Sequence, residues 1–208
     1  MAASSAASPA PPAAVHDLHG LILGAARDLL LAEGVDGLSM RKIAQRIGYS
    51  PTALYLHFPH KDAILHALLD EGVGMLHTAL TDALAAAPDA PDAPEAQMRA
   101  LCQAYLGWGE ANPARYEVML LLHPRHMERY PPDKYRKARR ALAVFAEVLR
   151  RVGFAPEEAA LAAAAAWAQL HGAVALSLAR RFDVRLDAAR LREAVVESVV
   201  RGTLALRP

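Results

Sequence analysis

The chain has 208 residues and a formal net charge of +1, so it is long enough to bury a core without disulfide bonds, and its charge indicates no particular partner. Hydrophobic residues make up 54% of it and aromatic residues only 6%. The abundance of Ala and Leu, both strong helix formers, predicts an all-α fold. The single cysteine, Cys102, excludes an intramolecular disulfide and favours a buried thiol in a reducing, cytoplasmic setting. No uninterrupted run reaches the roughly 18 apolar residues of a membrane helix, so no membrane partner is expected.

The N-terminal segment, residues 1–14, is rich in Ala, Ser and Pro and has no Lys or Arg, which predicts a disordered tail rather than a secretory signal. Apolar residues then recur at the spacing of an amphipathic helix, which Gly34 is expected to end. These residues are Leu18, Leu21, Ile22, Ala25, Ala26, Leu29 and Leu30.

Residues 39–58 have the pattern of two short helices joined by a tight turn. Ser39 and Ser50 are favourable N-caps, and Gly48 permits the turn between the helices. Pro51 follows the second cap at the first helical position, where proline is tolerated. This is the sequence form of a helix-turn-helix.

The remaining chain also shows helical patterns, interrupted by proline and glycine. We predict a three-helix DNA-binding domain over residues 15–60, a connecting helix over 61–86, a proline-rich loop over 87–94 and a larger helical domain over 95–208. Within the last, the pattern indicates helices near 95–111, 113–123, 133–152, 156–182 and 187–205.

Positive charge is concentrated on the helix-turn-helix. Between Gly37 and Lys61 there are four basic residues and no acidic one, although the first 60 residues hold four of each. A surface that faces DNA phosphates has this pattern, but a solvated basic face has it too.

A helix-turn-helix places the N-terminal end of its second helix in the major groove. There, Ser50 and Thr52 can bond to phosphates or base edges, and Tyr55 can place its hydroxyl on a phosphate. Lys61 adds its charge to the N-terminus of the next helix, a favourable phosphate site. The predicted DNA-binding residues are Arg41, Ser50, Pro51, Thr52, Ala53, Tyr55, Leu56, His57 and Lys61.

Over residues 34–65 the chain resembles the N-terminal domain of the tetracycline-repressor (TetR) family of transcription regulators. The matching positions, at the family's spacing, are Gly34, Ser39, Ile43, Ala44, Gly48, Ser50, Leu54, Tyr55, His57, Phe58, Lys61 and Leu65. The resemblance implies an operator-binding regulator, and a repressor is the family's usual form.

The resemblance also implies roles for single residues. Tyr55 and Lys61 would anchor phosphates, and Arg41 would reach a phosphate or the groove edge. Base contacts would come from Thr52, Ala53 and His57. Many relatives have Gly and Thr where this chain has Thr52 and Ala53, so no relative's operator sequence transfers to it. With few long polar side chains on the reading helix, part of the specificity is expected to come from DNA shape.

One helix-turn-helix contacts few phosphates, so two copies on one face of the DNA are expected. The last two predicted helices suit this role because one is rich in alanine and the other is apolar on two sides. The family resemblance implies the same homodimer. The predicted interface residues are Ala164, Ala168, Val195, Val199 and Gly202.

The helical domain also carries most of the larger aromatic residues. Each one taken singly is expected to be core, but as a set they can line a cavity for a largely apolar small-molecule effector. The predicted pocket residues are Tyr105, Trp108, Tyr116, Met119, His123, Trp167 and His171. The segment Trp167-x3-His171-Gly172 is similar to a tryptophan-histidine-glycine signature in one branch of TetR-like C-terminal domains.

Other functions fit the sequence less well. No catalytic triad, Gly-rich phosphate loop or zinc-protease spacing is present, so we predict no enzyme activity and no cofactor. His123 and His126 flank Pro124 without a thiol or carboxylate ligand nearby, so no metal site is predicted. Two alternatives stay open: a regulator of this fold without an effector, and a helical ligand-binding or enzymatic domain whose N-terminal motif is vestigial.

Overall fold

The computed structural model describes residues 17–88, 93–121 and 139–207. All regular secondary structure in these ranges is α-helical, which confirms the predicted fold class. In chain order the helices are α1 Leu18–Gly37, α2 Met40–Ile47, α3 Pro51–Tyr55, α4 Lys61–Ala86, α5 Pro94–Ala111, α6 Pro113–Leu121, α7 Arg140–Arg151, α8 Pro156–Leu178 and α9 Ala188–Leu204. The predicted tail over residues 1–14, part of the predicted loop over 87–94 and the start of the helix predicted at 133–152 lie outside the described residues.

The chain divides into two compact units, Met1–Lys61 and Asp62–Pro208. In the first, α1, α2 and α3 bury one apolar face each, as their periodicity predicts, although Leu21 of the predicted α1 face is 39% exposed. The buried side chains include Ile22, Ala26, Leu30, Ile43, Ala44, Leu54 and Phe58. Gly34 adopts φ 71° and ψ −178°, so it interrupts α1 as expected, but helical turns resume beyond it as far as Gly37.

The second unit is a helical bundle with an apolar core. The core draws on α4, α5, α6, α7, α8 and α9, and includes Leu76, Leu80, Leu101, Tyr116, Phe145, Val148, Ala163, Leu170 and Val200. Helices α5 and α8 approach closely at Gly109, where an added Cβ would lie 2.7 Å from Cγ1 of Val174. Any larger residue at Gly109 would therefore collide with the facing helix.

Cys102 is fully buried in this core, and burial raises the pKa of its thiol to about 12. Its burial confirms the predicted buried thiol, and a thiol with a raised pKa forms little thiolate at neutral pH.

Helix α8 is, by length and hydropathy, the one helix among the described residues that is apolar enough to cross a membrane. A core helix of a bundle has the same composition, and Ala159, Ala163, Ala166 and Leu170 of α8 belong to the buried core. The helix ends at Leu178, four residues before the predicted end. Arg180 adopts a left-handed conformation with φ 51° just beyond that point, which is incompatible with further helix.

Candidate DNA-reading surface and ligand cavity

The turn between α2 and α3 has the geometry that its sequence predicts. The Ser39 hydroxyl accepts a hydrogen bond from the Lys42 amide at 3.2 Å, and the Ser50 hydroxyl accepts one from the Ala53 amide at 3.2 Å. Gly48 closes α2 in the left-handed region at φ 75°, a conformation that favours glycine. Both helix starts and the turn are thus fixed by local hydrogen bonds and backbone preference.

Helix α3 buries the side chain of Leu54, and most of its other side chains are exposed. Leu54 is buried, and Phe58 beyond the helix end is buried with it, so the helix is held on its inner side. On the other side Tyr55 is 53% exposed and Leu56 is 84% exposed. Ser50, Pro51, Thr52 and His57 are also exposed, and Ala53 is half-buried. An exposed apolar side chain such as Leu56 has no role in the core of this unit.

The basic residues of the helix-turn-helix differ in their ion-pair partners, which the sequence does not reveal. Lys42 pairs with Glu33 of α1 at 2.5 Å, and Arg46 lies 3.5 Å from the carboxylate of Asp28, also in α1. Arg41 is exposed and has no ion pair among the described residues. Carboxylates of α1 therefore partly neutralise the charges of Lys42 and Arg46, whereas none of the described residues neutralises the charge of Arg41.

The ammonium of Lys61, at the start of α4, donates a hydrogen bond to the Val35 carbonyl at 3.2 Å. This contact holds the side chain near the end of α1. It leaves two of the three ammonium protons for other acceptors, so it is compatible with the predicted phosphate contact.

The second unit contains a cavity of about 470 Å³ among α4, α6, α7 and α8. Its walls are mostly aliphatic, with an aromatic end formed by Tyr116, Trp167 and His171. The described lining residues are Leu69, Val73, Leu76, Tyr116, Met119, Arg139, Ala141, Leu142, Trp167 and His171. Four of the predicted pocket residues, Tyr116, Met119, Trp167 and His171, therefore line one cavity.

The other predicted pocket residues lie elsewhere. Tyr105 is buried behind the aromatic end, and Trp108 is buried against Tyr116 with ring centroids 6.1 Å apart. His123 lies outside the described residues. Sequence reasoning did not place Arg139 or the α4 stripe Leu69, Val73 and Leu76 at the cavity, because the same apolar spacing is typical of ordinary core.

A hydrogen-bonded cluster closes the aromatic end. The hydroxyls of Tyr105 and Tyr116 are 3.0 Å apart, and the Tyr116 hydroxyl lies 2.8 Å from Nδ1 of His171. Burial raises the pKa of both tyrosines and lowers the pKa of His171, so all three groups are neutral near pH 7. The indole N–H of Trp108 is buried and has no acceptor among the described residues.

Four of the five predicted interface residues are at least partly accessible. Ala168 and Gly202 are exposed, and Ala164 and Val195 are half-buried. The prediction for Val199 is wrong, because its side chain is 0% exposed within the core of its own unit. The stripe of α9 that the sequence assigned to a partner is therefore partly the protomer's own core.

The first unit is thus a helix-turn-helix DNA-binding fold, and the second is a helical bundle with a ligand-sized cavity. This combination defines a class of regulators with a DNA-reading head and a separate helical domain. Residues 22–68 match the family described as bacterial regulatory proteins, tetR family, and residues 98–199 match the tetracyclin repressor-like C-terminal domain. The chain belongs to the tetracycline-repressor family, which confirms the resemblance noted in the sequence.

Individual relatives agree with this assignment. The chain is 47% identical over 57 residues to the tetracycline repressor protein class A from transposon 1721 of Escherichia coli, a match that covers 27% of this chain and 26% of that protein. The chain thus spans about a quarter of the length of the tetracycline repressors that it matches.

Solved structures share the fold over most of the chain. The TetR family transcriptional regulator PfmR from Thermus thermophilus is 25% identical with a TM-score of 0.63, and the alignment covers 86% of this chain and 97% of PfmR. A TetR variant from Acinetobacter baumannii AYE in complex with minocycline is 22% identical with a TM-score of 0.62, over 91% of this chain and 97% of the other.

Proposed function

We propose that the chain is a sequence-specific DNA-binding transcription repressor, and not an enzyme. It acts in the cytoplasm as a homodimer and leaves its operator when a small molecule binds. The observation that carries the proposal is the capped helix α3, whose Leu54 is buried while Tyr55 and Leu56, the residue just beyond its end, are exposed. Exposed side chains on a rigid helix-turn-helix are suited to contact DNA.

Contacts divide by chemistry. Arg41, Tyr55 and Lys61 offer charge or a hydroxyl to phosphates, which position the protein without reading sequence. Thr52, Ala53 and His57 face base edges, because they follow the N-cap of the reading helix. Ser50, Pro51 and Leu56 complete the contact surface, where short side chains let the backbone approach the groove.

A face of α8 supports the homodimer. Leu161 is 74% exposed, and small residues continue its line along the helix through Ala164, Ala168 and Gly172 to the exposed Leu176. On α9 the exposed Gly202 is a further small residue that permits close approach. An exposed apolar line of this length in a helical bundle is stabilised by a twin copy.

The cavity of the second unit is the proposed effector site. Its volume of about 470 Å³ is in the range of small-molecule pockets, and its walls are apolar with a few polar groups at one end. A TetR variant of the same fold was solved in complex with minocycline, which supports a small-molecule ligand for this chain.

The test begins with selection of a binding site from random DNA by the full-length protein. Affinity for that site is then measured by fluorescence anisotropy at about 150 mM salt with excess nonspecific competitor. We expect a dissociation constant near 10⁻⁸ M and a loss of roughly a hundredfold in Tyr55→Phe, since each copy loses one hydrogen bond to a charged phosphate.

Tyr49→Phe is the matched control, because Tyr49 is another exposed tyrosine of the motif that the proposal does not assign to DNA. Failure to enrich any site would refute the proposal. Specific binding that no small molecule releases would favour the second candidate, a regulator without an effector.

A further inference from the structure

We infer that the cavity's ligand is an apolar monocarboxylic acid, whose carboxylate accepts a hydrogen bond from His171 and faces Arg139. The inference rests on the proposed function, because it takes the cavity to be the effector site. Three features of the cavity carry it: the direction of its hydrogen bonds, its charge and its walls.

The hydrogen bonds of the aromatic cluster have one consistent direction. The Tyr105 hydroxyl lies 3.0 Å from the Tyr116 hydroxyl and 3.5 Å from Nδ1 of His171, and the Tyr116 hydroxyl lies 2.8 Å from the same nitrogen. If Tyr105 donates to Tyr116 and Tyr116 donates to Nδ1, both hydroxyl protons have an acceptor. The reverse direction, in which Nδ1 carries the proton and donates, would leave the proton of the fully buried Tyr105 hydroxyl without an acceptor.

This direction fixes the tautomer of His171. Nδ1 is the acceptor, so the ring proton lies on Nε2, and that N–H has no partner among the described residues. His171 lines the cavity and is half-buried. The cavity therefore has an N–H donor in its lining residue His171 that suits a ligand with an acceptor.

The charge of the lining has one sign. Arg139 precedes α7 and lines the cavity, and none of the described lining residues is acidic. Arg139 has no ion pair among the described residues, and its guanidinium is the one charged group among the described lining residues. A carboxylate satisfies both Arg139 and the His171 donor, whereas an amine would place a second positive charge beside the first.

The walls of the cavity determine the polarity and size of the remainder of the ligand. Leu69, Val73, Leu76, Met119 and Leu142 offer apolar surface and no hydrogen bonds. A cavity of about 470 Å³ holds a compact apolar body of about eight to twelve carbon atoms. A ligand with several polar groups would leave most of them unpaired against these side chains.

The test uses the full-length protein without DNA and two matched series of probes. One series is octanoate, octanol and octylamine, and the other is phenylbutyrate, phenylbutanol and phenylbutylamine. Binding is measured by isothermal titration calorimetry. We expect at least one acid to bind about tenfold more tightly than its alcohol, and its amine not to bind, because only the acid pairs with the cation.

Two variants assign the contacts. Arg139→Gln should weaken the acid about tenfold and leave its alcohol unchanged, while His171→Phe should weaken both. The matched control is Arg140→Gln, since Arg140 is an exposed neighbour that does not line this cavity. Arg139 is exposed, so its replacement leaves the core intact, and a melting curve verifies this.

Equal affinity for an acid and its alcohol, an unaffected Arg139→Gln variant, or no binding of either acid would each overturn the inference. The DNA measurement is separate, so the two proposals fail separately. Acids that bind but leave DNA bound would support the site chemistry and contradict effector release. Release by neutral or cationic compounds alone would support the repressor and overturn the carboxylate.

Discussion

Replacing Arg41 by Gln should reduce the salt dependence of operator binding, whereas the same replacement at the neighbouring Lys42 should not. Both residues are basic, exposed and in the first turn of α2. They differ in their partners: Lys42 pairs with Glu33 at 2.5 Å, and Arg41 has no acidic partner among the described residues.

The size of the effect follows from counterion release. Each phosphate that a protein cation neutralises adds about 0.9 to the slope of log affinity against log salt. A dimer presents Arg41 twice, so Arg41→Gln should lower the magnitude of the slope by about 1.8. Lys42 is held by Glu33 and contributes little to phosphate neutralisation, so Lys42→Gln should leave the slope within about 0.5 of the wild type.

Anisotropy titrations of the selected operator at four or more salt concentrations measure both slopes. Tyr55→Phe is a useful third protein, because it should lower affinity at every salt concentration without changing the slope. Equal reductions in Arg41→Gln and Lys42→Gln would refute the reasoning. That result would mean that the Lys42–Glu33 pair opens on DNA and that both cations reach phosphates.

The remaining predictions concern assembly, packing and pH. Ala168→Glu should give folded monomers by sedimentation velocity, because it places a charge on the exposed face of α8. Val199→Glu should instead fail to fold, because it buries a carboxylate. A folded, dimeric Ala168→Glu protein would contradict the interface. Gly109→Ala should lower the free energy of unfolding in urea by about 1–3 kcal/mol through collision with Val174, and an unchanged midpoint would show that α5 and α8 can separate freely. Burial lowers the pKa of His171 in the folded protein. As the pH falls below about 6.5, the unfolded chain therefore takes up a proton at this histidine before the folded protein does. His171 should thus make thermal stability decline as the pH is lowered. His171→Phe should show a smaller decline in melting temperature between pH of about 7.5 and about 5.5, and an identical decline would place the acid sensitivity elsewhere.

Local sequence determined most of the DNA-reading unit. Ser39, Gly48, Ser50 and Pro51 act through the backbone next to them, so cap, turn and helix start can be predicted from a few neighbouring residues. The match to the family's spacing further predicted that Tyr55 faces outward. Neither source shows that Lys42 and Arg46 pair with α1, because those partners lie 9 and 18 residues away along the chain.

The second unit depended far more on tertiary structure. Periodicity predicted its helices, but the same apolar spacing suits a core, a cavity wall and a dimer face, and only packing separates the three. Val199 is buried in its own unit and Leu161 is exposed, although both are apolar helix residues. The Tyr105, Tyr116 and His171 cluster joins α5, α6 and α8 across as many as 66 residues, and Arg139 reaches the same cavity from the start of α7. Such contacts are decided by how the helices pack. A helical pattern specifies which residues share one face of a helix, but not which other helix packs against that face.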